Sequence, residues 1–186
     1  MNAERELVAR AIRGDTGAFE VLATRYRPVA RRTAYGLIGD ADVADDVAQQ
    51  AMMRLHAALP GFRQASTLST WLHRVTLNLA YDHLRRIRRQ RDDVPLSGSP
   101  EVATSEVSDP HTRIDAERAR EALDAALERL PEDQREALVL RYMSELSYAE
   151  IASVTGAPAG TVASRIFRAL ERLGSELEPK HLEILR

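Results

Sequence analysis

The chain has 186 residues, of which 44% are hydrophobic and 29% charged; its formal net charge is −2 and it contains no cysteine. One domain or two small ones fit that length, and the lack of cysteine excludes disulfides and thiolate metal sites, as expected for a protein of a reducing cytoplasm. The near-neutral charge excludes a chain that coats nucleic acid by bulk electrostatics, while the charged opening MNAERELVARAIRGD and the lack of a long apolar run exclude a signal peptide and a membrane span.

From Ala3 to Arg91 the apolar residues recur at helical spacing. Leu7, Ala11 and Ile12 predict a short first helix, after which Gly14 and Asp15 supply a break and a cap. Phe19, Leu22, Tyr26, Val29 and Ala30 predict a second helix that fades between Gly36 and Gly39. Asp40 or Asp42 is the expected cap of a third, lined by Val43, Val47, Ala51 and Leu55 and stopped by Leu59-Pro60-Gly61. After the loop GFRQAS, Ser66 or Thr67 is expected to cap a long fourth helix built on Leu68, Leu72, Val75 and Leu79. That helix runs into a cluster of Arg85, Arg86, Arg88, Arg89 and Arg91, and its Trp71 reads as a core or half-core residue.

Between Asp92 and Thr112 the periodicity disappears into DDVPLSGSPEVATSEVSDPHT, which reads as a flexible acidic linker over 92–112. A second unit over 113–178 then begins with a helix carrying Ala119, Leu123, Ala126 and Leu127, which Leu130-Pro131 closes. Pro131 opens the next helix, with acids in its first turn and Leu138, Val139 and Tyr142 in its body. Ser147 and Glu150 form a capping box for YAEIASVTG, and Gly156 ends that short helix. Residues 179–186 form a tail in which Pro179 favours a break. The whole pattern is that of an all-α protein made of two small helical domains on a flexible linker, the first spanning 1–91.

Two short helices joined by a glycine-containing turn are the pattern of a helix-turn-helix, whose second helix enters the major groove of DNA. At about 3.6 residues per turn, Val162, Ile166, Ala169 and Leu173 share one side of that second helix, while Thr161, Arg165, Arg168 and Arg172 share another. One face anchors to the domain, and the other is free to meet phosphates and base edges.

These stretches resemble a known family. LERLPEDQREALVLRYMSELSYAEIASVTGAPAGTVASRIFRALERL is similar to region 4 of the extracytoplasmic-function (ECF) sigma factors of the sigma-70 family. DADVADDVAQQAMMRL, followed by STWLHRVTLNLAYDHLRRIRR, resembles their region 2. The resemblance implies a bacterial transcription initiation factor that binds core RNA polymerase and directs it to promoter DNA without catalysis of its own. It also implies an anti-sigma factor, membrane-associated, that occupies the polymerase-binding faces until a signal releases them.

Residue by residue, Asp45, Asp46, Gln49, Gln50 and Met53 match the helix that docks on the polymerase clamp, and carboxylates and amides suit an arginine-rich partner. Met52 and His56 stand where the family more often has aromatics. Phe62, Arg63, Gln64, Ala65 and Ser66 occupy the loop that captures a flipped base of the −10 element. Arg74, Asn78, Tyr81 and Arg85 form the expected DNA-facing stripe beyond it, with Trp71 aligned to an aromatic that can abut the melting duplex. Thr161, Ser164, Arg165 and Arg168 sit where region 4 reads the −35 element, and Arg172 lies toward a phosphate.

A stand-alone helix-turn-helix regulator is the alternative, although the chain offers no dimerisation helix or ligand-binding domain. An enzyme is the third reading. His56, His73, His83, His111 and His181 lack metal-ligand spacing, and the chain has no nucleophile beside a base and no glycine-rich phosphate loop. No catalytic residue, metal, cofactor or small-molecule substrate is therefore expected.

Overall fold

A computed structural model describes residues 2–62, 67–92, 120 and 122–177, and every regular element among them is helical. The first unit comprises α1 (Asn2–Ile12), α2 (Thr16–Ile38), α3 (Ala41–Ala58), a 3-10 turn at Leu59–Gly61 and α4 (Leu68–Asp92). The second comprises α5 (residues 122–129), α6 (Glu132–Tyr142), α7 (Tyr148–Thr155) and α8 (Ala159–Glu176). The expected linker, the start of the second unit near Arg113 and the tail lie outside the described residues.

Helix boundaries follow local chemistry. The Asp15 carboxylate accepts from the Ala18 amide at 3.0 Å, starting α2. Of the two candidates for α3, Asp40 is the cap, accepting from Asp42 and Val43 at 2.9 and 3.0 Å. Thr67 caps α4 through a 3.1 Å bond from the Thr70 amide. Each such cap satisfies an amide that has no intrahelical partner and contributes about 1 kcal/mol. The second helix does not fade at Gly36; it runs on to Ile38 and stops at Gly39, whose left-handed φ of 78° turns the chain toward Asp40.

The core of the first unit joins α1, α2, α3 and α4. Ala30 and Ala34 of α2 and Ala44, Ala48 and Ala51 of α3 are fully buried, so the two backbones approach closely while Leu22, Leu55 and Leu72 fill the remaining volume. The second unit has a core of its own from Ala126, Leu127, Leu130, Leu138, Ala169 and Leu173.

A third cluster belongs to both units. Leu37 of α2 and Leu77, Ala80 and Tyr81 of α4 pack in one body with Ala137, Val139, Leu140, Leu146, Ile151 and Val154. Besides its own core, each unit contributes to this shared one: α2 and α4 each present a second apolar face, and α6 and α7 cover it. Polar contacts tie the same seam. Thr33 Oγ1 lies 3.3 Å from His73 Nδ1 and 2.9 Å from Ser144 Oγ, joining α2, α4 and the α6–α7 turn. On its outer edge Arg120 reaches Tyr35, with Nε 3.1 Å and Nη2 2.6 Å from the phenol oxygen.

Burial at this seam fixes a protonation state. His73 is 1% exposed, and desolvation pushes its pKa down to about 4, opposed by Glu150 of α7 and reinforced by Arg32 of α2. A depressed histidine pKa favours the folded state above the unfolded value of about 6.5, and that advantage is lost as pH falls toward 4. Melting of the wild type and of His73→Gln across pH 7.5 to 4.5 should therefore show the wild type losing stability relative to the variant below pH 6.5, by up to about 3 kcal/mol. A constant difference between the two proteins over that range would refute the assignment.

Candidate nucleic-acid and protein-docking surfaces

On α3 the periodicity separates a buried face from a solvent face. Val47, Ala48, Ala51, Met52 and Leu55 turn inward, so Met52 serves the core. Asp46, Gln49, Gln50 and Met53 point outward at spacings of three and four, forming one stripe with Met53 66% exposed. Asp45 departs from that stripe. Its carboxylate is held by Arg31 of α2 at 3.0 Å and faces Arg27 at 3.7 Å, so it braces α3 against α2. His56 packs edge-on against Phe19, with ring centroids 4.7 Å apart, taking the place of an aromatic pair.

Arg63, Gln64, Ala65 and Ser66 lie outside the described residues. The loop's first residue, Phe62, is half-buried and meets Trp71 edge to face at 6.4 Å. Trp71 packs against the first unit's core, as its helical spacing predicts.

The stripe expected along α4 is not one exposed surface. Arg74, Asn78 and Arg85 are exposed, Arg85 with a long 3.5 Å contact to Asp82. Tyr81 is only 8% exposed and donates its hydroxyl to the Glu132 carbonyl at the start of α6, 3.0 Å away. Burial and the nearby Glu136 raise the phenol's pKa, so it stays protonated and remains a donor. Arg74 donates through Nε to the Val154 carbonyl at 3.1 Å and through its terminal nitrogen to the Ser153 carbonyl. It thereby meets the negative, unsatisfied end of α7. These contacts have one cause: the α4 edge that carries Arg74 and Tyr81 is where the second unit sits.

The helix-turn-helix forms as the sequence predicts. Ser147 accepts from the Glu150 amide at 3.3 Å, and the Glu150 carboxylate accepts from the Ser147 amide at 2.8 Å, closing the capping box. Donation from the Ser147 hydroxyl, at 2.7 Å, and from the Ser147 amide holds the Glu150 carboxyl below its usual range. Gly156, at φ 75°, ends α7, and three residues later α8 begins. Val162, Ile166, Ala169 and Leu173 are buried, which aims the opposite face at solvent.

On that face Thr161, Ser164, Arg168 and Arg172 are exposed, the Ser164 hydroxyl donating to the Gly160 carbonyl at 2.9 Å. The first turn of α8 carries no acid, leaving a positive helix end suited to phosphate. Arg165 is bound within the unit: its Nε lies 3.0 Å from the Asp133 carboxylate of α6, and only 28% of its side chain is exposed. Sequence reading did not single out Phe167, which is 67% exposed beside Arg168. Its position about 100° round the helix from buried Ile166 was the available signal.

The comparisons agree with this geometry. Residues 22–90 match Sigma-70 region 2, and residues 120–173 match Sigma-70, region 4. The chain is 36% identical to an RNA polymerase sigma-H factor of Pseudomonas aeruginosa, over 95% of this chain and 94% of that protein. It is 35% identical to an ECF RNA polymerase sigma-E factor of Escherichia coli, over 95% of each. Among solved structures it is similar to CnrH in complex with the cytosolic domain of CnrY, with a TM-score of 0.69 at 25% identity over 93% of this chain and 96% of that one. It is also similar to the sigma factor RpoE in complex with the anti-sigma factor NepR from Bartonella quintana, with a TM-score of 0.65 at 27% identity over 90% of this chain and 98% of that one.

The Asp133 carboxylate neutralises one of the four cations or hydroxyls nearest the start of the exposed α8 face. Asp133→Asn should release Arg165, and the slope of log affinity against log salt for duplex DNA should steepen by about one unit. An unchanged slope, measured by fluorescence anisotropy, would remove Arg165 from the set of cations available to phosphate.

Proposed function

Because this chain belongs to the ECF sigma factors of the sigma-70 family, we infer from its surfaces how it serves as a promoter-specificity subunit. It is an alternative sigma factor that binds core RNA polymerase, directs promoter-specific initiation and is restrained by an anti-sigma factor. The stand-alone regulator is set aside, since near-full-length relatives are sigma factors and the chain carries region 2 as well as region 4. In our reading the chain performs no reaction of its own and works in the cytoplasm; among the described residues no helix is long and apolar enough to cross a membrane.

We assign Asp46, Gln49, Gln50 and Met53 on α3 to the polymerase clamp. Acid and amide heads around an exposed methionine suit a basic partner with an apolar centre. Asp45 contributes by holding α3 in place. The −10 element falls to the loop from Phe62 through Ser66 and to the α4 edge carrying Arg74, Asn78, Tyr81 and Arg85, with Trp71 as structural support. Thr161, Ser164, Arg168 and Arg172 on α8 take the −35 element, with Arg165 as a reserve cation. The observation that carries the reading is the pairing of an acidic, amide-rich docking stripe on α3 with an arginine-bearing face on α8 whose first turn holds no acid, in one chain and in family order.

Run-off transcription with bacterial core polymerase tests it. The purified chain should redirect start-site choice, and Asp46→Arg combined with Gln49→Arg should lower core binding at least tenfold without changing the melting temperature by more than a few degrees. Arg168→Ala should cost about 1–3 kcal/mol in −35 discrimination, whereas Arg172→Ala should weaken all sequences alike. A chain that associates with core and leaves the start sites unchanged would end this reading.

A further inference from the structure

The outward stripe on α3 has one large apolar member, and that member is a thioether. Met53 is 66% exposed, whereas its neighbour Met52 is 8% exposed and packed in the core of the first unit. Every other large apolar residue of α3 is buried or half-buried. Gln49 and Gln50, one turn back, and Ala57, one turn on, are exposed around Met53, so its sulfur is open to small solutes. The chain has four methionines and no cysteine, which makes thioethers its only oxidisable sulfur. Met1 lies outside the described residues, and Met143 is half-buried against the cluster shared by the two units. Exposure decides which of these sulfurs a dissolved oxidant reaches first.

We propose that Met53 is a reversible oxidation site that controls docking on core polymerase. The proposal rests on the sigma-factor reading above and gives its docking stripe a chemical switch. The oxidant is a hydroperoxide. A lone pair on Met53 Sδ attacks one oxygen of hydrogen peroxide, the S–O bond forms as the O–O bond breaks, and the second oxygen leaves as water with both protons. Sulfur gives up two electrons, and the peroxide takes them. The sulfoxide then carries a polar acceptor oxygen where the stripe offered its apolar centre. A partner surface shaped over a thioether must bury that oxygen without a donor, and affinity falls. Asp46, Gln49 and Gln50 are unchanged, so polar complementarity alone is left to hold the complex. Methionine sulfoxide reductases, one for each sulfur epimer, restore the thioether; two thiols supply the electrons and become a disulfide while the oxygen leaves as water. Because Met53 faces solvent, its oxidation leaves the α2–α3 packing intact, whereas the same change at Met52 would put a polar group into the core. Docking covers Met53, so the free sigma factor is the form that responds.

The full chain is treated with hydrogen peroxide, the peroxide is removed with catalase, and the oxidised residue is located by tandem mass spectrometry. Binding to core polymerase is then titrated by fluorescence anisotropy before oxidation, after it, and after treatment with methionine sulfoxide reductases and a dithiol. Met53 should gain oxygen before Met52 and Met143, and affinity for core should fall about tenfold and return with the reductases. The melting temperature should move by no more than a few degrees. Met53→Leu, whatever its own affinity for core, should keep that affinity through the peroxide step, and Met52→Leu should respond as the wild type does. Oxidation of Met52 or Met143 ahead of Met53, a Met53 sulfoxide that binds core as tightly as the thioether, or a Met53→Leu chain that loses as much affinity as the wild type overturns the proposal. A chain that binds no core polymerase before treatment strikes at the sigma-factor reading and takes the switch with it. The order of oxidation is read on the free protein and does not depend on that binding, so the two failures are distinguishable.

Discussion

The structure depends on the close approach of α2 and α6 at Gly36. Without a Cβ at that point, Val139 and Met143 reach the α2 backbone, and Leu37, Tyr81 and Leu140 close into one apolar body. The other cross-unit contacts follow from that distance. Thr33 meets Ser144, Arg74 reaches the end of α7, and His73 is left in a desolvated pocket where only its neutral form is comfortable. A bulkier residue at 36 would hold α6 away, and the polar latches would have no reach.

Arginine is used in two ways here, and the difference is geometric. Arg31, Arg74 and Arg165 are committed inside the molecule, to Asp45, to the carbonyl end of α7 and to Asp133. Arg168 and Arg172 point to solvent on α8. A basic surface in a chain of net charge −2 is therefore built by pairing some cations internally and leaving a chosen few free. Long-range attraction stays modest, and contact is made by a small set of guanidinium groups whose planar geometry suits bases and phosphates.

The two outward surfaces owe their precision to unlike supports. On α3 the docking stripe stands on a bed of alanines that lets α2 and α3 lie close, with Asp45 pinned between Arg27 and Arg31 to set the rotation. On α8 the exposed face is aimed by four buried residues at helical spacing and by a turn that Gly156 alone makes possible at φ 75°. Each surface is rigid because its opposite side is core.

Local order was determined by the amino-acid sequence itself. Helical periodicity, the caps at Asp15, Thr67 and Ser147 with Glu150, the left-handed stop at Gly156 and the buried row Val162, Ile166, Ala169 and Leu173 all depend on residues within a few positions of one another, so a single chain of letters carries them. The solvent stripe on α3 and the helix-turn-helix were legible for the same reason. What only the tertiary structure decided concerns partners distant in sequence. Gly36 read as a place where a helix fades and is a contact point 103 residues from Val139; that α6 lies over Tyr81 and that Arg31 of α2 holds Asp45 were likewise set by residues distant in the chain. Helical spacing states which side of a helix a residue occupies, and it is silent on which other helix lies against that side, because that choice is made by shape and volume summed over the whole fold.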